Sequence, residues 1–533
     1  MKKTERQPIS FLFWIVFAVA IGLKYGYANF HYYPVLDDWL QYGAYQLYEN
    51  PIQIFLHYSY HTRPLASLFD VTLWGKFWPD LTIPFVIITI LHIASCYLLY
   101  RTFSKVNRSI GIPAAIILGL MPLGNEATYW LSASSRLVVG MFFMLLSLYL
   151  LAASLEKRKK ALYLGGFWFF QLVSFAFYEQ IIAMGFVCSL LIMLWKRKQI
   201  RWQAYMIPIL NLLVIGGYYV LFKAGGNAAE RGHTVKGNEF WGHIGYVFHQ
   251  FYDISVWTHS FYYRNSLPKG LMLLLGSKSY VYLVAIVVVS FVCGWFAWHT
   301  SRKTAGMQKP LWKIIAGILL AVLPLAPFFL ITDTGLALRN VFPSMIGLAL
   351  LFDGIFDWLG QTAVTRLLYG IITGTLTFAF IVPGVTDIVE YKKVSEADRY
   401  VAEQIVAVGK QEHKLNGNIP AYLFGAESYL VPESAPFLNH IKNVTDSEWA
   451  LTGAVRAAGR NRNFQMITPV SAQYDYIVPE KHLNKGLLLG IEKNLKVIPL
   501  QAVKKENGDY RLLRHDGSTF GVYYVKAQHF KWK

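Results

Sequence analysis

The chain has 533 residues, 55% of them hydrophobic and 15% charged, with a mean hydropathy of +0.35. That balance excludes an ordinary soluble multidomain protein and places the chain in the membrane class. The formal net charge of +19 does not indicate a nucleic-acid partner, because Lys and Arg fall in short clusters between apolar runs, as in the cytoplasmic loops of polytopic proteins. Cys96, Cys188 and Cys293 lie inside apolar runs. They read as small buried hydrophobes and not as zinc ligands or a disulfide framework.

In chain order, Lys2, Lys3 and Arg6 precede an apolar stretch over residues 10–29. It is long enough to cross a bilayer and has no small-residue cleavage site, so it is expected as an uncleaved first span. A long outer loop over residues 30–80 follows. Further spans are expected at 81–100, 110–123, 137–153, 161–177, 181–194, 205–222, 279–298, 314–331, 341–358 and 367–386. With the first, these make about eleven, those at 110 and 181 being short for a span of roughly 20 residues. Basic clusters at Arg101/Lys105/Arg108, Lys157 to Lys160, Lys196 to Arg201, Arg302/Lys303/Lys309/Lys313 and Arg366 all fall on the side of the N-terminus. The positive-inside rule makes that side cytoplasmic. Residues 161–195 carry such a cluster at both ends, so the chain must turn back around Tyr178-Glu179-Gln180.

The outer side then receives the first loop, a second long loop over 223–278, and the tail. The expected architecture is an α-helical polytopic transmembrane domain over 1–388 with a small extracytoplasmic α/β domain over 389–533. Within the tail, an amphipathic helix is expected near 397–408 and strands near 474–478 and 519–525. No repeat and no phosphate-binding Gly-rich loop stands out.

Candidate chemistry gathers on the outer side. Asp37-Asp38-Trp39 follows His31-Tyr32-Tyr33 just beyond the first span. A carboxylate there, partly desolvated, can accept a proton from an attacking hydroxyl. The same pair also reads as an Asp N-cap on a helix that starts at Trp39. Further on, His57, His61, Arg63-Pro64-Leu65 and Asp70 stand in the same loop. Arg63 could clamp a phosphate or simply anchor at headgroup depth, and the two histidines read as interfacial residues without a third metal ligand. Three later outer turns carry charge where little else does: Glu126 and Arg136 around Trp130, Glu179 in the tight turn, and Asp333 and Arg339 before Asn340. Ionisable groups near a bilayer are functional candidates, although singly each serves equally well as a cap or ion pair.

These motifs, in this order, resemble the GT-C glycosyltransferase superfamily. Asp37-Asp38 is similar to that family's first-loop acid pair. Arg63-Pro64-Leu65 is similar to the Arg-Pro-Leu of the bacterial serotype-converting glucosyltransferases and the transmembrane O-mannosyltransferases. Glu126 to Arg136, Tyr178-Glu179 and Arg339-Asn340 to Pro343-Ser344 look like its later turns; Tyr178 stands where a lysine is common, and the tail has no TPR pattern. The resemblance covers 1–388 and implies a sugar transferase, a hexosyltransferase by analogy, that uses a polyprenyl-phosphate-linked donor. It implies Asp37 as base with Asp38 as partner, and Arg63, Glu126, Arg136, Glu179 and Arg339 as donor-phosphate or pairing residues. It implies a cell-envelope glycan or lipid acceptor in the plasma or inner membrane, no metal site and no obligatory cofactor, while leaving room for a divalent cation. Two rival readings stay open. A lipid-linked-sugar flippase would place its charges near the bilayer midplane, and a polysaccharide ligase or polymerase would not need the first-loop acid pair.

Overall fold

The computed structural model describes residues 11–27, 29–48, 50, 63–106, 110–155, 160–196, 206–224, 235–277, 279–304, 310–332, 335–358, 362–412, 415, 419–426, 441–471 and 477–532. Each expected span falls on a helix. Among the described residues, seven helical segments are long and apolar enough to cross a membrane: Thr82–Lys105, Leu131–Ser154, Lys160–Phe177, Tyr280–Thr300, Leu311–Leu330, Leu338–Asp357 and part of Ala363–Gln411. Three shorter apolar helices, Phe11–Tyr25, Ile181–Lys196 and Met206–Tyr218, accompany them. The expected span at 110–123 contains only the nine-residue helix Ile112–Leu120, because Met121 leaves helical geometry before Pro122. A helix in lipid must satisfy its own backbone, so uninterrupted apolar runs have little alternative to this state.

Two stretches differ from expectation. Residues 223–278 are not an irregular loop but hold helices Phe240–Tyr252 and His259–Gly276, joined by a π-helical turn over Asp253–Thr258. Their interspersed polar groups, among them His249, Arg264 and Lys269, lower the hydropathy without removing helical propensity. The amphipathic segment near 397–408 is likewise not a separate helix, since one 49-residue helix, Ala363–Gln411, runs through it from the last span. Pro383 lies inside that helix.

The chain divides into two compact units that interleave in sequence. The first comprises residues 1–31, 59–67 and 85–388 and holds the apolar helices. Its helices pack closely where small residues meet. A Cβ on Gly347 would lie 2.1 Å from the Ala321 nitrogen, and one on Gly317 would lie 2.7 Å from the Leu351 nitrogen. Helices Leu311–Val322 and Met345–Trp358 therefore touch backbone to backbone, the usual means of close helix packing in a membrane.

The second unit comprises residues 32–58, 68–84 and 389–533. Strands β1 (Ala421–Phe424), β2 (Ile467–Val470), β3 (Leu487–Ile491) and β4 (Val497–Pro499) form a sheet in the order β2-β1-β3-β4, with β1 parallel to β2 and β3. Strands β5 (Gln501–Lys504), β6 (Tyr510–Leu513), β7 (Thr519–Tyr524) and β8 (His529–Trp532) form an antiparallel meander. Phe424, Leu488, Leu512, Phe520, Tyr523 and Phe530 build one apolar core from both sheets. The strand expected near 519–525 is β7, whereas 474–478 lies mostly outside the described residues. Helix Glu448–Gly459 packs against β2, its first turn capped by Ser447, whose side chain accepts from the Ala450 N–H at 3.3 Å.

Candidate active site

The acid pair sits in the second unit on a tight turn. Leu36 has φ +45°, a conformation costly for a side chain that size, and Asp38 N–H donates to the Val35 carbonyl at 3.1 Å. The turn sends the two carboxylates to different surroundings. Asp38 is fully buried, and its Oδ2 accepts from the Tyr32 hydroxyl at 2.5 Å and from the Val35 N–H at 3.1 Å. A helical turn does begin at Trp39, yet Asp38 makes no side-chain cap on it and turns back toward Val35 instead. Asp37 is half-buried, and its Oδ1 accepts the indole N–H of Trp449 at 2.7 Å. Close by in sequence, burial and the Glu396 carboxylate push the Tyr33 phenol upward, so it stays protonated near neutrality. Asp70 is buried and accepts from the Tyr42 hydroxyl at 3.0 Å, a packing role.

The arginines and remaining acids belong to the first unit, at helix breaks or first turns except for Arg136, the sixth residue of helix Leu131–Ser154. Arg63 grips Glu179 with two parallel hydrogen bonds, Nε to Oε2 at 2.6 Å and Nη2 to Oε1 at 2.5 Å. Its guanidinium also lies 4.2 Å from the centre of the Tyr178 ring. Tyr178 thus serves as the shelf under Arg63, a cation–π arrangement that a lysine there could not provide. The Tyr178 hydroxyl accepts from Asn340 Nδ2 at 3.0 Å, and Gln180 Nε2 donates to the Asn340 carbonyl at 2.6 Å. One residue earlier, Arg339 Nη1 meets the fully buried Glu126 Oε1 at 2.5 Å and its guanidinium lies 5.3 Å from the Trp130 ring. Arg63, Glu179, Arg339 and Glu126, far apart in sequence, are therefore linked through Tyr178 and Asn340 into one network. Arg136 is buried, and its Nη1 donates to the Ser132 carbonyl one turn back. The fork that Arg63 could offer a phosphate is engaged by Glu179, while Arg339 keeps 35% of its side chain accessible. His57, His61 and Asp333 lie outside the described residues.

Two buried polar clusters of the first unit have partners that sequence reasoning does not give, although Asp353 and Asp357 stand out in the sequence as acids within a span. Asp387 Oδ2 accepts from Asn125 Nδ2 at 2.6 Å and from the Tyr262 hydroxyl at 2.8 Å. Lys24 is buried as well, with its ammonium 5.0 Å from the Tyr25 ring. In the other cluster, Lys313 is buried between Asp353 at 2.5 Å and Asp357 at 2.6 Å, and the Gly111 N–H and Tyr369 hydroxyl complete the Asp353 shell. Lys313, expected as one of a cluster of basic residues, stands in the first turn of helix Leu311–Val322 and is the counter-charge of these two acids. The i, i+4 spacing of Asp353 and Asp357 on one helix face was the available signal, but nothing local shows which cation meets them.

No family model matches the chain, and no curated protein sequence is significantly similar to it. Among solved structures, it is similar to the crystal structure of ArnT from Cupriavidus metallidurans bound to undecaprenyl phosphate. The identity is 13% and the TM-score 0.34, over 90% of this chain and 93% of that one.

Proposed function

We propose that this chain is an integral-membrane glycosyltransferase of the GT-C type, which moves a sugar from a polyprenyl-phosphate-linked donor to a cell-envelope glycan or lipid acceptor on the outer face of the membrane. The observation that carries this reading is the division of labour in the acid pair. Asp38 is consumed by Tyr32 and Val35, whereas Asp37 is half-exposed, with one oxygen held by Trp449. A held carboxylate with a second oxygen directed to a substrate is what a general base needs.

The reaction follows from that arrangement. The acceptor hydroxyl oxygen bonds to the anomeric carbon of the donor as its proton passes to Asp37 and then to water. The bond between that carbon and the phosphate oxygen breaks, and polyprenyl phosphate leaves with the electron pair. The chain contributes positioning and charge stabilisation, the two largest sources of rate in such a displacement. Within the first unit, Arg339 is the more accessible of the two paired arginines and the first candidate for donor phosphate; Arg63, Glu126 and Glu179 complete its network, and Arg136 is a further candidate. The proposed orientation has the N-terminus in the cytoplasm and residues 389–533 outside.

The buried Lys24, Asp387, Lys313 and Asp353 favour one second reading, a lipid-linked-sugar flippase, since charges inside a membrane unit are typical of transport pathways. One experiment separates them. Purified chain in liposomes is given undecaprenyl-phosphate-linked glucose, mannose or galactose with soluble and lipid-borne saccharide acceptors. Release of undecaprenyl phosphate together with a mass gain on an acceptor is expected. Movement of intact donor between leaflets without release would replace the transferase reading with the flippase.

A further inference from the structure

Trp449 stands 412 residues beyond Asp37 and donates to it. Its helix, Glu448–Gly459, buries Ala450, Leu451, Ala454 and Val455 and leaves Trp449 56% exposed. That helix meets the turn Trp39–Ala44 at backbone distance. A Cβ on Gly453 would lie 2.7 Å from the Leu40 Cα, and one on Gly43 would lie 2.8 Å from the Ala457 Cβ. The pairing of Trp449 with Asp37 is therefore set by two rigid backbones in contact and not by one long side chain reaching across solvent. A single exposed tryptophan needs no explanation. Here, though, the N–H is directed to the candidate base while the ring stays open, which leaves a negative π face bordered by a carboxylate.

We propose that Trp449 is the acceptor-positioning residue of this site and that the acceptor presents a pyranose ring. The C–H-bearing face of a pyranose packs on the indole, and its hydroxyls project at the rim, where Asp37 stands. The indole N–H occupies Oδ1 and so directs the acceptor hydroxyl to Oδ2. This rests on the transferase reading, and it makes residues 389–533 part of the active site.

The test uses the full chain in nanodiscs, labelled with 5-fluorotryptophan, with the Trp449 resonance assigned by Trp449→Phe. Maltotriose, cellotriose and chitotriose serve as soluble pyranose probes. At least one should move that resonance saturably, and Asp37→Asn should move it without any saccharide. With a transferable donor, Trp449→Ala should raise the acceptor KM about tenfold, the scale of one aromatic packing contact. Trp449→Phe, which keeps a ring, should restore most of that KM while kcat stays low for want of the N–H. A resonance that no probe moves, or an acceptor KM unchanged in Trp449→Ala, overturns the proposal. If wild type releases no undecaprenyl phosphate from any donor, the transferase reading fails, and the saccharide titration alone then decides whether Trp449 binds pyranose.

Discussion

Asp37 and Asp38 show how little adjacency says about role. Both are acids on one turn, yet one is enclosed and bonded twice while the other faces a single indole. Their amides should therefore fail differently. Asp37→Asn keeps shape and an acceptor for Trp449 but removes the basic oxygen, so transfer should fall about 100-fold or more with the fold intact. Asp38→Asn turns an all-acceptor group into one that can present N–H groups to the Tyr32 hydroxyl and Val35 N–H. It should cost about 1–3 kcal/mol of stability, the range for a buried group left badly matched, while correctly folded molecules turn over near the normal rate. Thermal unfolding and release of undecaprenyl phosphate, measured on the same monodisperse samples, check both; equal kinetic losses with equal unfolding temperatures would contradict this assignment.

At the scale of elements, the functional candidates of the first unit occupy the places where helices stop. Glu126 lies in the four-residue helix Asn125–Thr128, Glu179 in the break between two apolar helices, and Arg339 in the short helix Leu338–Val341. Such ends carry unsatisfied backbone groups, so charge there is less costly than within a span. Asp353 is the counter-example, within helix Met345–Trp358 and met by Lys313 from the first turn of the helix that Gly317 and Gly347 bring against it. Lys313→Met should leave the buried Asp353 and the half-buried Asp357 without their cation and cost about 3–5 kcal/mol. Lys313→Met combined with Asp353→Asn and Asp357→Asn should recover much of that loss, as scanning calorimetry of the purified variants would show. In the second unit, Gly453→Leu would force helix Glu448–Gly459 off Leu40, where the obstructing atoms include backbone. It should abolish the response of the Trp449 resonance to Asp37→Asn while leaving far-ultraviolet dichroism almost unchanged; a retained response would show that the glycine contact does not set the pairing.

The whole molecule combines two units whose sequences are threaded through one another. Residues 32–48 and 68–84 leave the apolar unit early and belong with the unit whose later part begins at residue 389. Loop closure over such separations is slow, so the acid-pair turn should acquire its final packing only after residues 389–533 have been made. The charge bias of the loops predicts one side of the membrane for both outer segments. Asn238 and Ser518 are exposed and so suited to report that side. In a background with Cys96, Cys188 and Cys293 changed to alanine, Asn238→Cys and Ser518→Cys should both react with an impermeant maleimide in intact cells. Protection of either until the cells are opened would reverse the assigned orientation.

Hydropathy and charge are local quantities, and what depends on them was legible without coordinates. Apolar runs became helices from Phe11–Tyr25 to Ala363–Gln411, the chain broke at Tyr178 to Gln180, and Thr519–Tyr524 became a strand. Stray ionisable residues beside those runs marked Asp37, Glu126, Glu179 and Arg339 as candidates, since charge near a bilayer is costly enough to be conspicuous. Pairing is different, because a partner is chosen by the packing of distant elements and leaves no mark on either residue's neighbours in the chain. Only the tertiary structure could decide that Asp38 is enclosed while Asp37 is presented, that Tyr178 carries Arg63, and that Lys313 lies between two aspartates. The same holds for Trp449, whose indole reaches Asp37 because two glycines allow their backbones to touch.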